Sequence, residues 1–275
     1  MNKLLAANFM RLKKSRVFWV CMLLSAGFAL MMDFSLHTML REGSEPTLDG
    51  NLFSFVPFIG IIGAAFISLF VGTEYSDGTI RNKIVIGHSR TGIYLANLIT
   101  VAAAMLMMCL LYILVYTAIG TVIAGWFVMP LDALLLMLLL CTVLTVCLSA
   151  VMTAVVMLNQ NKAVVAVLSI ILALGLLFAG SYTYNRLSQP EYYGGYTMNE
   201  EGQIVEEEPY KNPRYLSGTT REVYQFFNDF LPGGQQLQLA SAEVGHPWKL
   251  TGYSALITIV TTAAGVMVFR RKDLK

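Results

Sequence analysis

The chain is organised around Val71-Gly-Thr-Glu-Tyr-Ser-Asp-Gly-Thr-Ile-Arg-Asn-Lys-Ile-Val-Ile-Gly-His-Ser-Arg90, the longest polar interval in its first two-thirds. A long apolar run precedes this interval and another follows it. The interval contains Arg81, Lys83 and Arg90. Because Lys and Arg concentrate in the cytoplasmic loops of membrane proteins, we expect it to face the cytoplasm.

We expect the interval to contain a short amphipathic helix. Three apolar residues would share one helical face: Ile80, Ile84 and Val85. Ser76 or Asp77 could cap the start of this helix, and Gly87 could end it. Ser89 could then cap the next long helix. The alternatives are a helix that contacts a cytoplasmic partner and an ordinary polar turn.

The composition excludes an ordinary soluble domain. Hydrophobic residues make up 56% of the 275 residues and charged residues 13%, and the mean hydropathy is +0.62. Several apolar runs reach the roughly 20 residues that a spanning helix needs. We therefore predict one all-α polytopic transmembrane domain with six spans, at residues 17–36, 53–71, 91–124, 132–158, 163–181 and 250–269.

The distribution of charge predicts the orientation of these six spans. With both termini inside, 13 of the 19 Lys and Arg residues are cytoplasmic, and 14 of the 17 acidic residues are outside. Residues 182–249 then form a large outer segment with an acidic excess. The sequence does not predict its fold, although residues 200–209 suggest a flexible stretch or a hairpin with a Glu-Gly tip. Four of its apolar residues recur at helical spacing and could lie at the outer interface: Val223, Phe226, Phe227 and Phe230.

Two features near the N-terminus need a structural explanation. Residues 3–15 form a basic amphipathic pattern, typical of an interfacial helix or of the cytoplasmic end of the first span. Asp33 lies towards the outer end of that span. An acidic residue within a span is a functional candidate, but at this depth we expect its carboxylate to be hydrated.

The common catalytic and metal-binding motifs are absent from the sequence. There is no Gly-x-x-x-x-Gly-Lys-Ser/Thr for ATP, no His-Glu-x-x-His and no Gly-x-Ser-x-Gly. Leu231-Pro-Gly-Gly-Gln-Gln236 superficially resembles an ABC ATPase signature, but it lies in the outer segment, where we expect a turn between two short helices. The spans also lack the relay of ionisable residues that proton-coupled carriers use.

The polar interval resembles a known family. Gly72-x-Glu74-Tyr75-x-x-Gly78-Thr79-x-Arg81, followed by Ser89-Arg90, resembles the first cytoplasmic loop of type-2 ABC exporter permeases of the bacitracin/lantibiotic-resistance kind. The span organisation agrees with this family along nearly the whole chain. One departure is that the family leads us to expect a basic residue near Asn97, and this chain has none there.

The resemblance implies a permease subunit of the bacterial cytoplasmic membrane with an N-terminal elbow helix and a cytoplasmic coupling helix. It implies a separate ATP-binding subunit, a second permease and a hydrophobic or amphipathic substrate such as a peptide antibiotic, a toxic peptide or a lipid. The chain itself would bind no cofactor, metal or nucleic acid. The residues assigned to coupling with the ATPase are Glu74, Tyr75, Asp77, Gly78, Thr79, Arg81, Lys83 and Arg90.

Two further interpretations stay open at this point. Tyr112 and Tyr116, one helical turn apart, could line a translocation path or could simply pack against other helices. The whole chain could also be a non-transporting immunity or sensor protein that binds a peptide through residues 182–249. Such a protein would tolerate Arg81→Ala, whereas a coupled permease would not.

Overall fold

The computed structural model describes residues 1–198, 204–206 and 209–273. Its helices are α1 Asn2–Lys14, α2 Arg16–Arg41, α3 Val56–Phe70, α4 Gly72–Ser76, α5 Thr79–Val85, α6 Arg90–Ala124, α7 Leu131–Met157, α8 Lys162–Leu187, α9 Gly218–Phe230, α10 Pro232–Ala240 and α11 Pro247–Arg271. A 3₁₀ turn covers Leu48–Asn51. The strands are β1 Tyr192–Tyr193, β2 Tyr196–Met198, β3 Ile204–Glu206 and β4 Tyr210–Lys211.

Within the residues that the structure describes, six helices are long and apolar enough to cross a membrane. They are α2, the segment that contains α3, and α6, α7, α8 and α11, and they overlap the six apolar segments of the sequence. The α6 helix has 35 residues, a length of about 52 Å at 1.5 Å per residue. Because the hydrocarbon core is about 30 Å thick, α6 extends beyond it.

The core of the bundle lies around α3. In the most apolar stretch of the α3 segment 72% of the residues are buried, against 17% in α11. Helices α2, α6, α7 and α8 pack against α3, while α2 also packs along α6, and α11 packs along α7. Pro57 lies in the first turn of α3, where a missing N–H costs nothing.

The segment between α8 and α11 folds back into the bundle. The β1 strand pairs with β4, and β2 pairs antiparallel with β3, which agrees with the hairpin alternative; the predicted Glu-Gly tip lies outside the described residues. The α9 and α10 helices meet at Leu231, and α10 packs against α8, α3 and α7. The expected turn therefore lies at Leu231, and Gly233 and Gly234 belong to α10.

Glycines allow α10 to approach α8 closely. A Cβ atom on Gly233 would lie 1.7 Å from the carbonyl oxygen of Leu176, and one on Gly180 would lie 2.1 Å from the carbonyl carbon of Gly233. Leu176 precedes the end of α8 by eleven residues, which corresponds to about 16 Å along the helix axis. The start of α10 thus lies well below the end of α8 rather than above the bundle.

Asp33 is buried, contrary to the expectation that its carboxylate would lie at the hydrated surface. Only 3% of the residue is exposed, and neither carboxylate oxygen has a hydrogen-bond partner among the described residues. The physical reason is that α2 continues to Arg41, two turns past Asp33, and that the 3₁₀ turn folds over this region. Leu48 of that turn and Asp33 both lie against Gly120 of α6.

Candidate functional site

The polar interval forms two short helices instead of one. Gly78 separates α4 from α5 with a φ of 66°, a left-handed conformation that favours glycine. The prediction that Ser76 or Asp77 caps the helix is wrong, because α5 begins directly after Gly78 and has no side-chain cap. Gly87, with a φ of 97°, follows the end of α5 as expected. The Ser89 hydroxyl accepts a hydrogen bond from the N–H of Gly92 at 3.1 Å and caps α6, also as expected.

Glu74 of α4 lies at the centre of a buried polar cluster at the end of the bundle that holds α1 and the end of α11. Only 1% of the residue is exposed. Its Oε1 accepts charge-assisted hydrogen bonds from Arg11 of α1 and from Lys83 of α5. Its Oε2 accepts a hydrogen bond of 2.9 Å from the Asn97 side chain of α6. One carboxylate thereby joins four helices.

Two asparagines complete this Glu74 cluster, which consists of Asn8, Arg11, Glu74, Lys83 and Asn97. The Asn8 amide donates to Asn97 Oδ1 at 2.8 Å, and Lys83 donates to Asn8 Oδ1 at 3.1 Å. Two cations share a single carboxylate, so the cluster retains one net positive charge. Burial lowers the pKa of Arg11 from its ordinary value, and the Glu74 carboxylate acts in the opposite direction.

Neighbouring residues extend the network to α7 and α11. The Tyr75 hydroxyl donates to the carbonyl oxygen of Met157, the last residue of α7. Arg90 donates to the carbonyl oxygens of Phe269 at 3.3 Å, of Arg270 at 3.1 Å and of Lys272. The guanidinium of Arg90 therefore binds carbonyl groups of the last turn of α11 and of the residue that follows it.

The polar interval also has an exposed surface at the end of α5. Val85 is 80% exposed and Ile86 is 77% exposed, and Arg81 beside them is also exposed. We refer to Arg81, Val85 and Ile86 as the α5 tip. The prediction that Val85 shares a face with Ile80 is wrong: Ile80 is 1% exposed, and a separation of five residues turns Val85 about 140° away from it.

The eight residues predicted to couple to an ATPase thus fall into two groups. The inward-facing group makes contacts within the chain and consists of Glu74, Tyr75, Lys83 and Arg90. The others lie in the loop between the helices or on the surface, with Asp77 and Arg81 exposed, and Gly78 and Thr79 half-buried. Their role in coupling stays a prediction.

Sequence reasoning missed three members of the Glu74 cluster. Asn8 and Arg11 come from α1, and Asn97 comes from α6. A signal was present for Asn97, because the family pattern leads one to expect a basic residue near it. In this chain Arg11 and Lys83 supply the positive charge to Glu74, and the amide of Asn97 binds its second oxygen.

Tyr112 and Tyr116 are buried and stack in parallel, with ring centroids 5.8 Å apart. Their hydroxyls donate to the carbonyl oxygens of Asn51 at 2.6 Å and of Leu48 at 3.0 Å. Both tyrosines therefore fix the 3₁₀ turn to α6. These contacts favour the packing interpretation, and a place in a translocation path stays a prediction.

The groups of the Glu74 cluster are those of a structural contact between helices. Its groups are a paired carboxylate, two cations and two amides, with no nucleophile placed beside a base. The described residues include no group of three or more His, Cys, Asp or Glu side chains that could hold a metal ion. What the cluster can do is hold α4 and α5 rigidly against α1 and α6.

Comparison with known proteins adds one finding. The model of the family described as ABC-2 family transporter protein matches residues 4–180. This match covers well over half of the chain and includes α1, the Glu74 cluster and the α5 tip. No curated protein matches the sequence.

Proposed function

We propose that this chain, which belongs to the ABC-2 family of transporter proteins, is the membrane-spanning permease subunit of an ATP-driven exporter. It works with a separate ATP-binding subunit, which binds and hydrolyses the nucleotide. The family match does not favour the alternative of a non-transporting peptide-binding protein. The end of the bundle that holds α1 and the end of α11 is the cytoplasmic end in this proposal, as the distribution of basic residues predicts.

The main support for the proposal is the contrast within the polar interval between the buried Glu74 cluster and the exposed α5 tip. Glu74 is almost completely buried among charged and amide partners, whereas Val85 and Ile86 are about four-fifths exposed. Two large apolar side chains beside Arg81 suit a cleft in a protein partner better than water. The α5 tip is therefore the surface that the ATP-binding subunit contacts.

Movement of the ATP-binding subunits is transmitted through the Glu74 cluster. Closure of these subunits pushes on the α5 tip, and the Glu74 cluster carries the displacement to α1 and α6. Tyr75 passes it to the end of α7, and Arg90 passes it to the end of α11. A rigid connection is required because a flexible loop would absorb the displacement.

A second permease, identical or homologous, completes the translocation path, because six spans supply half of the path in the family that this chain resembles. The substrate is hydrophobic or amphipathic, such as a peptide antibiotic, a toxic peptide or a lipid. The chain resides in a bacterial cytoplasmic membrane. The bacitracin/lantibiotic-resistance branch of the family is the proposed subtype.

Co-purification tests this proposal. The full chain is expressed with the ATP-binding protein encoded beside it and extracted in mild detergent. The wild-type chain should form a stable complex, and Val85→Ser/Ile86→Ser should weaken that complex at least about tenfold, because apolar burial at the contact is lost.

The matched control is Val122→Ser/Val128→Ser. These two valines are 85% and 75% exposed and lie at the opposite end of the bundle, so the control should bind like the wild type. A folded wild-type chain that forms no complex would refute the proposal. Equal weakening by both double variants would refute the assignment of the α5 tip.

A further inference from the structure

The predicted outer end of the bundle contains an open pocket of about 520 Å³ between α9 and the first turns of α11. Six residues define its chemistry: Arg221, Glu222, Phe226, Asp229, Lys249 and Tyr253. Its volume falls within the roughly 300–1,000 Å³ of typical ligand pockets. The pocket lies at the first turns of α11, whereas the Glu74 cluster lies near the last turn of that helix. The two sites are therefore at opposite ends of the bundle.

The pocket lies at the level where a membrane surface is expected. Trp248 in the first turn of α11 is 70% exposed, and Phe226 and Phe227 of α9 are nearly half exposed. Exposed aromatic side chains at the end of a spanning helix are typical of the head-group region. A ligand in this pocket would therefore have lipid on one side and water on the other.

The rim of the pocket is positively charged where Arg221 and Lys249 lie. Arg221 donates to the carbonyl oxygens of Leu216 at 3.4 Å and of Leu187 at 3.3 Å, which fixes its guanidinium in place. Neither cation forms an ion pair with any residue in the described ranges. A held guanidinium and a flexible ammonium at one rim suit a phosphate group.

The other lining groups add a carboxylate and an apolar wall. Glu222 is exposed on α9, one residue from Arg221, and it makes no ion pair in the same described part of the chain. The rings of Phe226 and Tyr253 meet edge to face, with centroids 6.0 Å apart. An ammonium group can bind to Glu222 while an acyl chain lies on these rings.

Asp229 gives the floor of the pocket a fixed shape. The residue is 3% exposed, and its Oδ1 accepts hydrogen bonds from Gln225 at 3.0 Å and from Gln238 at 3.1 Å. Its Oδ2 lies 3.4 Å from Nδ1 of His246. Because Asp229 is already paired, it positions α9 against α10 and leaves ligand binding to the rim.

We propose that this pocket binds a phospholipid whose head group carries a phosphate and a primary amine. The phosphate binds Arg221 and Lys249, the amine donates to Glu222, and an acyl chain covers Phe226 and Tyr253. A second copy of this chain or a free phosphate ion would not use all three features together. This inference does not depend on export, and its test needs no ATP-binding subunit.

The test measures lipid binding to the purified full chain by native mass spectrometry. After removal of co-purified lipid, the chain is titrated with dioleoyl phosphatidylethanolamine. We expect one lipid per chain to bind, and about tenfold weaker binding to Arg221→Gln/Lys249→Gln, because charge-assisted hydrogen bonds to the phosphate are lost. Lys211→Gln, a change of an exposed cation outside the pocket, should bind like the wild type.

Further probes separate the possible occupants. Dioleoylglycerol, which lacks the phosphate, should bind at least about tenfold more weakly, and inorganic phosphate should not displace the phospholipid. Equal binding of the glycerol lipid, displacement by phosphate alone, or lipid binding to monomers but not to dimers would each overturn the proposal.

A second variant keeps the proposal testable if Arg221→Gln/Lys249→Gln does not fold. Glu222→Gln changes an exposed side chain and should preserve the fold. It should remove the preference for phosphatidylethanolamine over phosphatidylcholine, since a quaternary ammonium has no N–H to donate. A wild-type chain without this preference, or a preference unchanged in Glu222→Gln, would refute the assignment of the amine.

Discussion

At the residue scale, Glu74 and Arg81 show how differently two charges of one motif are used. Glu74 is buried and forms ion pairs with Arg11 and Lys83. Arg81 is exposed and makes no ion pair with any described residue. From sequence both were candidates for partner contact. In the structure Glu74 holds the polar interval against α1 and α6, whereas the side chain of Arg81 is accessible to a partner.

This difference leads to opposite mutational outcomes. Glu74→Gln should destabilise the purified chain by about 3 kcal/mol, because it leaves Arg11 and Lys83 without a buried counter-ion. Arg81→Gln should change stability by no more than about 0.5 kcal/mol but should weaken association with the ATP-binding subunit. Thermal unfolding in detergent and co-purification measure the two effects, and a comparable loss of stability in Arg81→Gln would contradict the assignment.

Asp33 and Asp49 form a second instructive pair of residues. Asp33 has no hydrogen-bond partner within the described ranges, while Asp49 Oδ2 accepts from the N–H groups of Val128 at 2.8 Å and Met129 at 3.3 Å. Asp33→Asn should therefore stabilise the chain by about 1 kcal/mol, because a buried charge without partners is removed. Asp49→Asn should destabilise it by about 1 kcal/mol.

Thermal unfolding of the two variants, side by side, checks this prediction. Destabilisation by Asp33→Asn would mean that the carboxylate has a partner in the functioning protein. Loss of transport without loss of stability would make Asp33 a functional residue.

The limits of prediction at this scale are clear from the Glu74 cluster. Glu74 could be singled out from its motif, but its partners Arg11 and Asn97 lie 63 and 23 residues away in the chain. Only packing of the helices brings them together. The burial of Asp33 could not be predicted from sequence either, because it depends on where α2 ends and on which turn covers the carboxylate.

At the scale of elements, periodicity and hydropathy located the spanning helices because each apolar run is long and bounded by polar residues. The polar interval was harder, since Gly78 divides it into α4 and α5 and so changes which residues point inward. Two short helices joined by a turn were predicted here, but the burial of α10 within the bundle was not, because its glycine and glutamine residues are typical of an exposed turn. Three glutamines of α10 are in fact buried: Gln235, Gln236 and Gln238.

The close contact between α8 and α10 gives a prediction with an internal control. Gly180→Ala should destabilise the chain by about 2 kcal/mol, because its Cβ would collide with the backbone of Gly233. Gly175→Ala, on the same helix, has no heavy atom within 4 Å of its Cβ position. It should be neutral or stabilise the chain by up to about 1 kcal/mol.

Melting temperatures of the two variants in the same detergent give the comparison. Equal melting temperatures would mean that α10 does not pack closely against α8 at Gly180.

At the scale of the whole molecule, the six apolar helices found among the described residues bring α1 and the end of α11 to one end of the bundle. There α1, α4, α5, α6, α7 and the end of α11 are joined by the Glu74 cluster, Tyr75 and Arg90. The opposite end contains α9, α10 and the pocket that we propose binds a phospholipid. If both proposals hold, the surface that contacts the ATP-binding subunit and the lipid pocket lie at opposite ends of the molecule.

Site-specific photo-crosslinking tests the central claim that the α5 tip contacts an ATP-binding subunit. p-Benzoylphenylalanine is placed at Ile86 and, as a control of matched exposure, at Val128, which are 77% and 75% exposed. The account predicts a crosslink to the ATP-binding subunit from position 86 and none from position 128. No crosslink from position 86, in membranes that contain both folded proteins, would contradict it.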